Sequence, residues 1–155
     1  MSTHEARVVW ERGNTPFTYE AYVRDHRIFF SGGATLEASA AVEYKGNAKL
    51  PNPEDQLVSA LSSCHMLSFL AIACKRGHVV EHYEDQAVGT LAKNTDGRLA
   101  ITTCVLHPKV TFGDGKPVDA ATLHKLHEQA HHACFIASSV KTEVSVELGD
   151  GAPIL

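Results

Sequence analysis

Four cysteines, at positions 64, 74, 104 and 134, and a histidine-rich segment near residue 127 are the groups in this chain whose chemistry reaches beyond packing. A cysteine reacts as its thiolate, which attacks peroxides and disulfides and binds metal ions. Cys64 stands in Ser62-Ser63-Cys64-His65 inside an apolar run, and Cys134 in Ala133-Cys134-Phe135-Ile136. There is no C-x-x-C pair, and a disulfide scaffold belongs to shorter, secreted, cysteine-dense chains. Spacing alone leaves two readings of Cys64 and Cys134 open, a reactive thiol or a small buried hydrophobe. Cys74 and Cys104 read as buried apolar thiols, one in a helix and one in a strand. Cys74 cannot bridge Cys64 within one helix, because ten residues rise about 15 Å.

His127-Glu128-Gln129-Ala130-His131 fits H-E-x-x-H, the zinc-hydrolase pattern of two histidines one turn apart with a general base between them. Such a site needs three ligands and an open position. Ala137 stands where the metzincin continuation has its third histidine, and the rest of the chain reads as a strand with no helix to bring an acid. The plainer reading is a polar helix face, with Leu123, Leu126, Ala130 and Ala133 packing inward.

The elements that must position these groups follow from pattern. Ala6 to Trp10, Phe17 to Val23 and Arg27 to Phe30 read as strands, separated by turn clusters at Gly13-Asn14-Thr15-Pro16 and followed by Ser31-Gly32-Gly33. Tyr44 to Pro51 reads as a loop. Asn52 then caps a helix, Pro53 suits its first position, and Glu54 and Asp55 complement the positive end of the dipole. Lys75-Arg76-Gly77 is the matching stop. Leu57, Ala60, Leu61, Cys64, Leu67, Ala71 and Cys74 recur at helical spacing. Met66, Phe69, Leu70 and Ile72 widen that face, which predicts a helix buried on most sides, with Cys64 at its middle. Gln86 to Lys93 and Arg98 to Val110 read as a hairpin around Asn94-Thr95-Asp96-Gly97. Gly113 to Pro117 is a loop, Asp119 caps a second helix reaching about Ala133, and Val140 to Leu148 closes as a strand. This order predicts an α+β fold, with segregated helices covering an antiparallel sheet.

Bulk properties narrow the function. At 155 residues, 44% apolar and 21% charged, the chain suits one domain, 1-155, with a real core. A formal charge of −4 argues against nucleic-acid binding. No secretory signal opens the chain, and the serines and His65 within Leu57 to Cys74 argue against a membrane span, so a cytoplasmic location is expected.

The stretch Asn52-Pro53-Glu54-Asp55-Gln56-Leu57 through Ser63-Cys64-His65, with Ala130-His131-His132-Ala133-Cys134 leading into Ser138-Ser139, resembles the OsmC/Ohr family of hydroperoxide-reducing proteins. The resemblance implies a thiol peroxidase that needs no cofactor. Its implied partners are a hydroperoxide substrate and an external dithiol reductant. It also implies an intertwined homodimer with sites at the interface. By the same resemblance Cys64 is the peroxidatic thiol, Cys134 the resolving one, Glu54 the family glutamate and Arg24, close to Arg27, the family arginine. Two positions depart from the organic-hydroperoxide branch: His65 follows the cysteine, and Phe135 stands where that branch has proline. These features resemble the broader OsmC-like group. A dimer binding a small apolar ligand without turnover is the alternative within the same fold.

The implied chemistry is consistent. A thiolate attacks the distal peroxide oxygen and becomes a sulfenic acid, which a second thiol converts to a disulfide. A guanidinium would favour the thiolate and the leaving alkoxide, and a carboxylate could hold that guanidinium in a bidentate pair. Glu54 and Cys64, however, stand about 15 Å apart along a helix and roughly 80° apart around it. Either Arg24 spans part of that gap or a neighbouring subunit supplies some of the site.

Overall fold

Three short strands open the chain: β1 (Ala6–Val9), β2 (His26–Phe30) and β3 (Thr35–Ala38). They pair antiparallel in the order β1-β2-β3, with Ile28 between Val8 and Leu36. Gly33, at φ 86°, makes the return from β2 to β3 by donating its N–H to the Phe30 carbonyl at 2.9 Å. The structure, a computed structural model, describes residues 1–113, 115 and 118–149. It divides into two compact units, Met1–Gln56 and Leu57–Leu155.

In the first unit, the strand expected over Phe17 to Val23 is instead a turn-rich loop. The N–H groups of Ala21 and Tyr22 both donate to the Thr18 carbonyl, at 3.0 and 2.9 Å. The aromatics that suggested a strand pack on one another: Trp10, Phe17 and Tyr22 lie with ring centroids 5.7 to 6.3 Å apart. Their mutual contact replaces the cross-strand neighbours a ladder would have supplied.

The long helix α1 (Pro53–Lys75) starts and stops as its sequence signals require. The Asn52 side chain accepts from Asp55 N–H at 2.8 Å, while the Asp55 carboxylate accepts from Asn52 N–H at 3.3 Å, a reciprocal capping box. At the other end Gly77 adopts φ 77°; its N–H donates to the Cys74 carbonyl and that of His78 to the Ala73 carbonyl, both at 3.0 Å. That pair of bonds is a Schellman stop, which needs a left-handed residue at Gly77.

In the second unit, strands β4 (Val80–Asp85) and β7 (Pro108–Phe112) form an antiparallel pair, and β5 (Val88–Lys93), β6 (Leu99–Leu106) and β8 (Glu143–Val146) a second sheet. β5 and β6 are the expected hairpin, whereas β8 joins β6 in parallel. The single strand expected over Arg98 to Val110 breaks at His107, whose N–H is taken by the Asp85 carboxylate at 2.7 Å. That bond removes His107 from the ladder and sends β6 and β7 to different sheets. Helix α2 (Ala120–Ala133) is capped by Asp119, which accepts from Thr122 N–H at 2.7 Å. Of the loop expected at Gly113 to Pro117, Asp114, Lys116 and Pro117 lie outside the described residues.

The expectation that α1 is buried on most sides is not met. Its buried residues are Leu61, His65, Phe69 and Ala73, an i, i+4 stripe, whereas Leu67 is 62% exposed and Cys74 is exposed as well. Leu61 joins Cys104, Leu106 and Val146 in one core cluster; Phe69 and Ala73 join Leu126 and Ala130 of α2 in another. β5 approaches α1 closely at Gly89, where a Cβ would stand 2.4 Å from Val58 Cγ2.

Candidate functional site

Cys64 lies half-buried on α1, on the flank of the helix that the core does not use. A groove of about 590 Å³ runs along this flank, walled by Ala60, Leu67, Ala71, Ile72, Phe135 and Ile136, with Lys75 at its edge. Cys134 is the C-cap residue of α2 and is 1% exposed. Its extended backbone (φ −76°, ψ 106°) ends the helix and turns the chain into a short 3-10 turn at Ala137–Ser139. Cys134 Sγ accepts from the Ala137 N–H at 3.4 Å, and the Cys64 thiol lies near enough to act on it. Burial raises the Cys134 thiol pKa; the Cys64 thiol adds to the rise, and the backbone N–H groups of Ala137 and Ile136 oppose it. The structure thus brings together the two cysteines that lie 70 positions apart in sequence. Cys104 is buried as expected. Cys74 is not: it sits in the last turn of α1, outside the buried stripe.

Arg24 and Glu54 both line an aromatic cleft of about 620 Å³ in the first unit, with Trp10, Phe17, Tyr22 and Tyr44. The Arg24 guanidinium, 9% exposed, donates to the carbonyls of Tyr19 and Tyr22 and lies 3.7 Å from the Tyr22 ring centroid. Its Nε is buried without a hydrogen-bond partner among the described residues. The bidentate pair expected between Arg24 and Glu54 is absent among the described residues, because the backbone carbonyls take the guanidinium instead. Arg27 points elsewhere, stacked 5.8 Å from the Phe29 ring centroid on β2.

The H-E-x-x-H segment is placed unlike a zinc site. His127 is fully buried, 4.4 Å from Phe69 between ring centroids, and its Nδ1 hydrogen-bonds His65 Nε2 at 3.0 Å. Burial lowers the His65 pKa to about 4, helped by His131, and that of His127 to about 3, helped by His65 and His124. Among the described residues no group of three His, Cys, Asp or Glu is placed to hold a metal ion. Ala133, expected to pack inward, is exposed.

Residues 46–149 match the family model for OsmC-like protein. The chain belongs to the OsmC-like family. It is 43% identical to an OsmC-like protein of unknown function from Vibrio cholerae, with a TM-score of 0.92 over 96% of this chain and 99% of that one. An organic hydroperoxide resistance protein from Legionella pneumophila shares the fold at 16% identity, TM-score 0.69, over 96% of each chain. An uncharacterized protein of Bacillus subtilis, YmaD, is 24% identical over 119 residues, 76% of this chain and 79% of that protein.

Reading the OsmC-like chain by pattern misses the His65–His127 pair. The available signal was the i, i+4 spacing of His65 with Leu61, Phe69 and Ala73, but a polar side chain within an apolar stripe does not announce its partner.

Proposed function

We propose that this OsmC-like protein is a thiol peroxidase that reduces organic hydroperoxides. The observation that carries the reading is the pairing of a half-buried Cys64 beside an apolar groove with a neighbouring, buried Cys134. The Cys64 thiolate attacks the distal oxygen of ROOH; the O–O bond breaks and ROH leaves after taking up a proton. The resulting Cys64 sulfenic acid meets the Cys134 thiol; an S–S bond forms and water leaves. An external dithiol reopens the disulfide by exchange, becoming oxidised itself. The apolar groove walls suit an organic peroxide. The family resemblance gives Arg24 the role of favouring the thiolate and the leaving oxygen, and Glu54 that of its carboxylate partner.

The same reading takes the working form to be a homodimer in the cytoplasm. α1 combines a mean hydropathy of 1.8 with 22% burial over its most apolar window, so apolar surface around Leu67 and Ala71 is left for a second copy to cover. By length and composition α1 could also cross a membrane; the buried His65 at its centre and the OsmC-like fold favour packing in protein.

Steady-state oxidation of a dithiol that depends on added organic peroxide, present in wild type and absent in Cys64→Ser, is the test. The aromatic cleft around Trp10 and Tyr22 favours one other reading, a dimer that binds a small apolar ligand without turnover. That reading requires no peroxide-dependent dithiol oxidation by the wild type.

A further inference from the structure

The hydrogen bond between His65 and His127 takes part in no step above, yet it joins the two helices that carry the thiols. His65 follows Cys64 directly on α1, and His127 precedes Cys134 by seven residues, about two turns of α2. We propose that His65 and His127 are positioning residues, whose mutual hydrogen bond fixes α1 and α2 in the register that sets the Cys64 and Cys134 sulfurs against each other. The proposal rests on the reading of these cysteines as a working pair.

The geometry supports this in three ways. First, the rings lie nearly in one plane, 5° apart with centroids at 5.3 Å, and meet through His65 Nε2 and His127 Nδ1 at 3.0 Å. That is a directional contact, which a slide of either helix would break. Second, both rings are buried, and neither His65 Nδ1 nor His127 Nε2 has a hydrogen-bond partner among the described residues. Sliding the helices would therefore orphan two more buried nitrogens, and a buried polar group with no partner is costly. Third, the remaining contacts around the pair, Phe69 and Ala73 against Leu126 and Ala130, are apolar and non-directional. They hold the helices together, and the histidines choose where.

The test measures disulfide formation in glutathione buffers, which requires no peroxide. Cys64 attacks oxidised glutathione and releases one glutathione thiol; Cys134 then attacks the mixed disulfide and releases the second. Two protein thiols are oxidised as one glutathione disulfide is reduced. The ratio at equilibrium gives the effective concentration of Cys134 toward Cys64, read by mass spectrometry in a Cys74→Ser background. His127→Leu and His65→Leu should each lower it about ten- to a hundredfold, the scale expected of a misplacement near 1 Å. His65→Gln with His127→Asn, whose amides can rebuild the bond, should recover most of the loss. The double variant His65→Leu/His127→Leu leaves no orphaned imidazole, so it should keep its melting temperature and still show the low value. A purely structural role predicts the opposite for that variant. Wild-type effective concentration in the folded double-leucine protein overturns the proposal and leaves the peroxidase reading intact. A wild type that forms no Cys64–Cys134 disulfide in glutathione overturns both.

Discussion

Cys134 is buried next to Cys64, which itself stays half-buried beside an apolar groove. The asymmetry comes from two helix positions. Cys64 sits mid-helix on the flank away from the core, and Cys134 caps a helix end with its sulfur bonded to the Ala137 N–H. Under the proposed peroxidase reading, a hydroperoxide arriving by the groove meets Cys64 first.

Cys64→Ser should therefore abolish peroxide consumption. Cys134→Ser should allow one turnover and leave a sulfenic acid that a dimedone-type reagent traps. Multi-turnover activity with a dithiol in either variant would contradict these roles.

Arg24→Ala should slow single-turnover peroxide reduction about tenfold, about 1.4 kcal/mol of barrier. Arg24→Lys should recover little, because an ammonium lacks the planar fork that now spans the Tyr19 and Tyr22 carbonyls. Arg27→Ala, removing a side chain stacked near Phe29, should stay within about threefold of wild type. The reverse order of effects would move the role to Arg27.

Acid should destabilise the protein through the histidine pair. Both folded pKa values, about 4 for His65 and about 3 for His127, lie below the ordinary value of 6.5, so the unfolded chain binds more protons between these limits. The neutral pair's contribution to stability is complete above pH 6.5 and is lost as pH falls toward 4. Melting temperatures across that range should fall more steeply for wild type than for His65→Gln/His127→Asn. Parallel curves would place the acid sensitivity elsewhere.

Leu67→Asp puts a charge on the open flank of α1, where Leu67 is 62% exposed. Sedimentation should show a dimeric wild type and a variant shifted toward monomer, with the fold retained by circular dichroism. A monomeric wild type at tens of micromolar would count against the dimer.

Gly89→Ala should cost about 1–3 kcal/mol in denaturant unfolding, because the new methyl would press on Val58 Cγ2 from 2.4 Å. A smaller loss would mean that Val58 can rotate away.

Local rules carried much of the fold. The Asn52 cap, the Gly77 stop, the Asn94–Gly97 hairpin and the Asp119 cap are interactions among residues a few positions apart, and each stands where the sequence placed it. The likeness of the segments around Cys64 and Cys134 to a known family was legible for the same reason, since it lies in contiguous motifs. Beyond that range, pattern misled. The aromatics at 17–23 looked like a strand because alternation cannot tell a ladder from a self-packed cluster. The break at His107 depends on the Asp85 carboxylate, 22 residues away in sequence.

The sequence by itself determined the helices, their ends and the family motifs around Cys64 and Cys134, because capping, turn and motif signals reside in single short segments. Only the tertiary structure decided which flank of α1 is buried, that Cys64 neighbours Cys134, and that His65 shares a hydrogen bond with His127 across 62 residues. An apolar helix carries candidate core residues on more than one side, and the sheet and α2 packed against it select one stripe. That selection leaves Cys64 at the groove and buries its neighbour, since successive helix positions point about 100° apart.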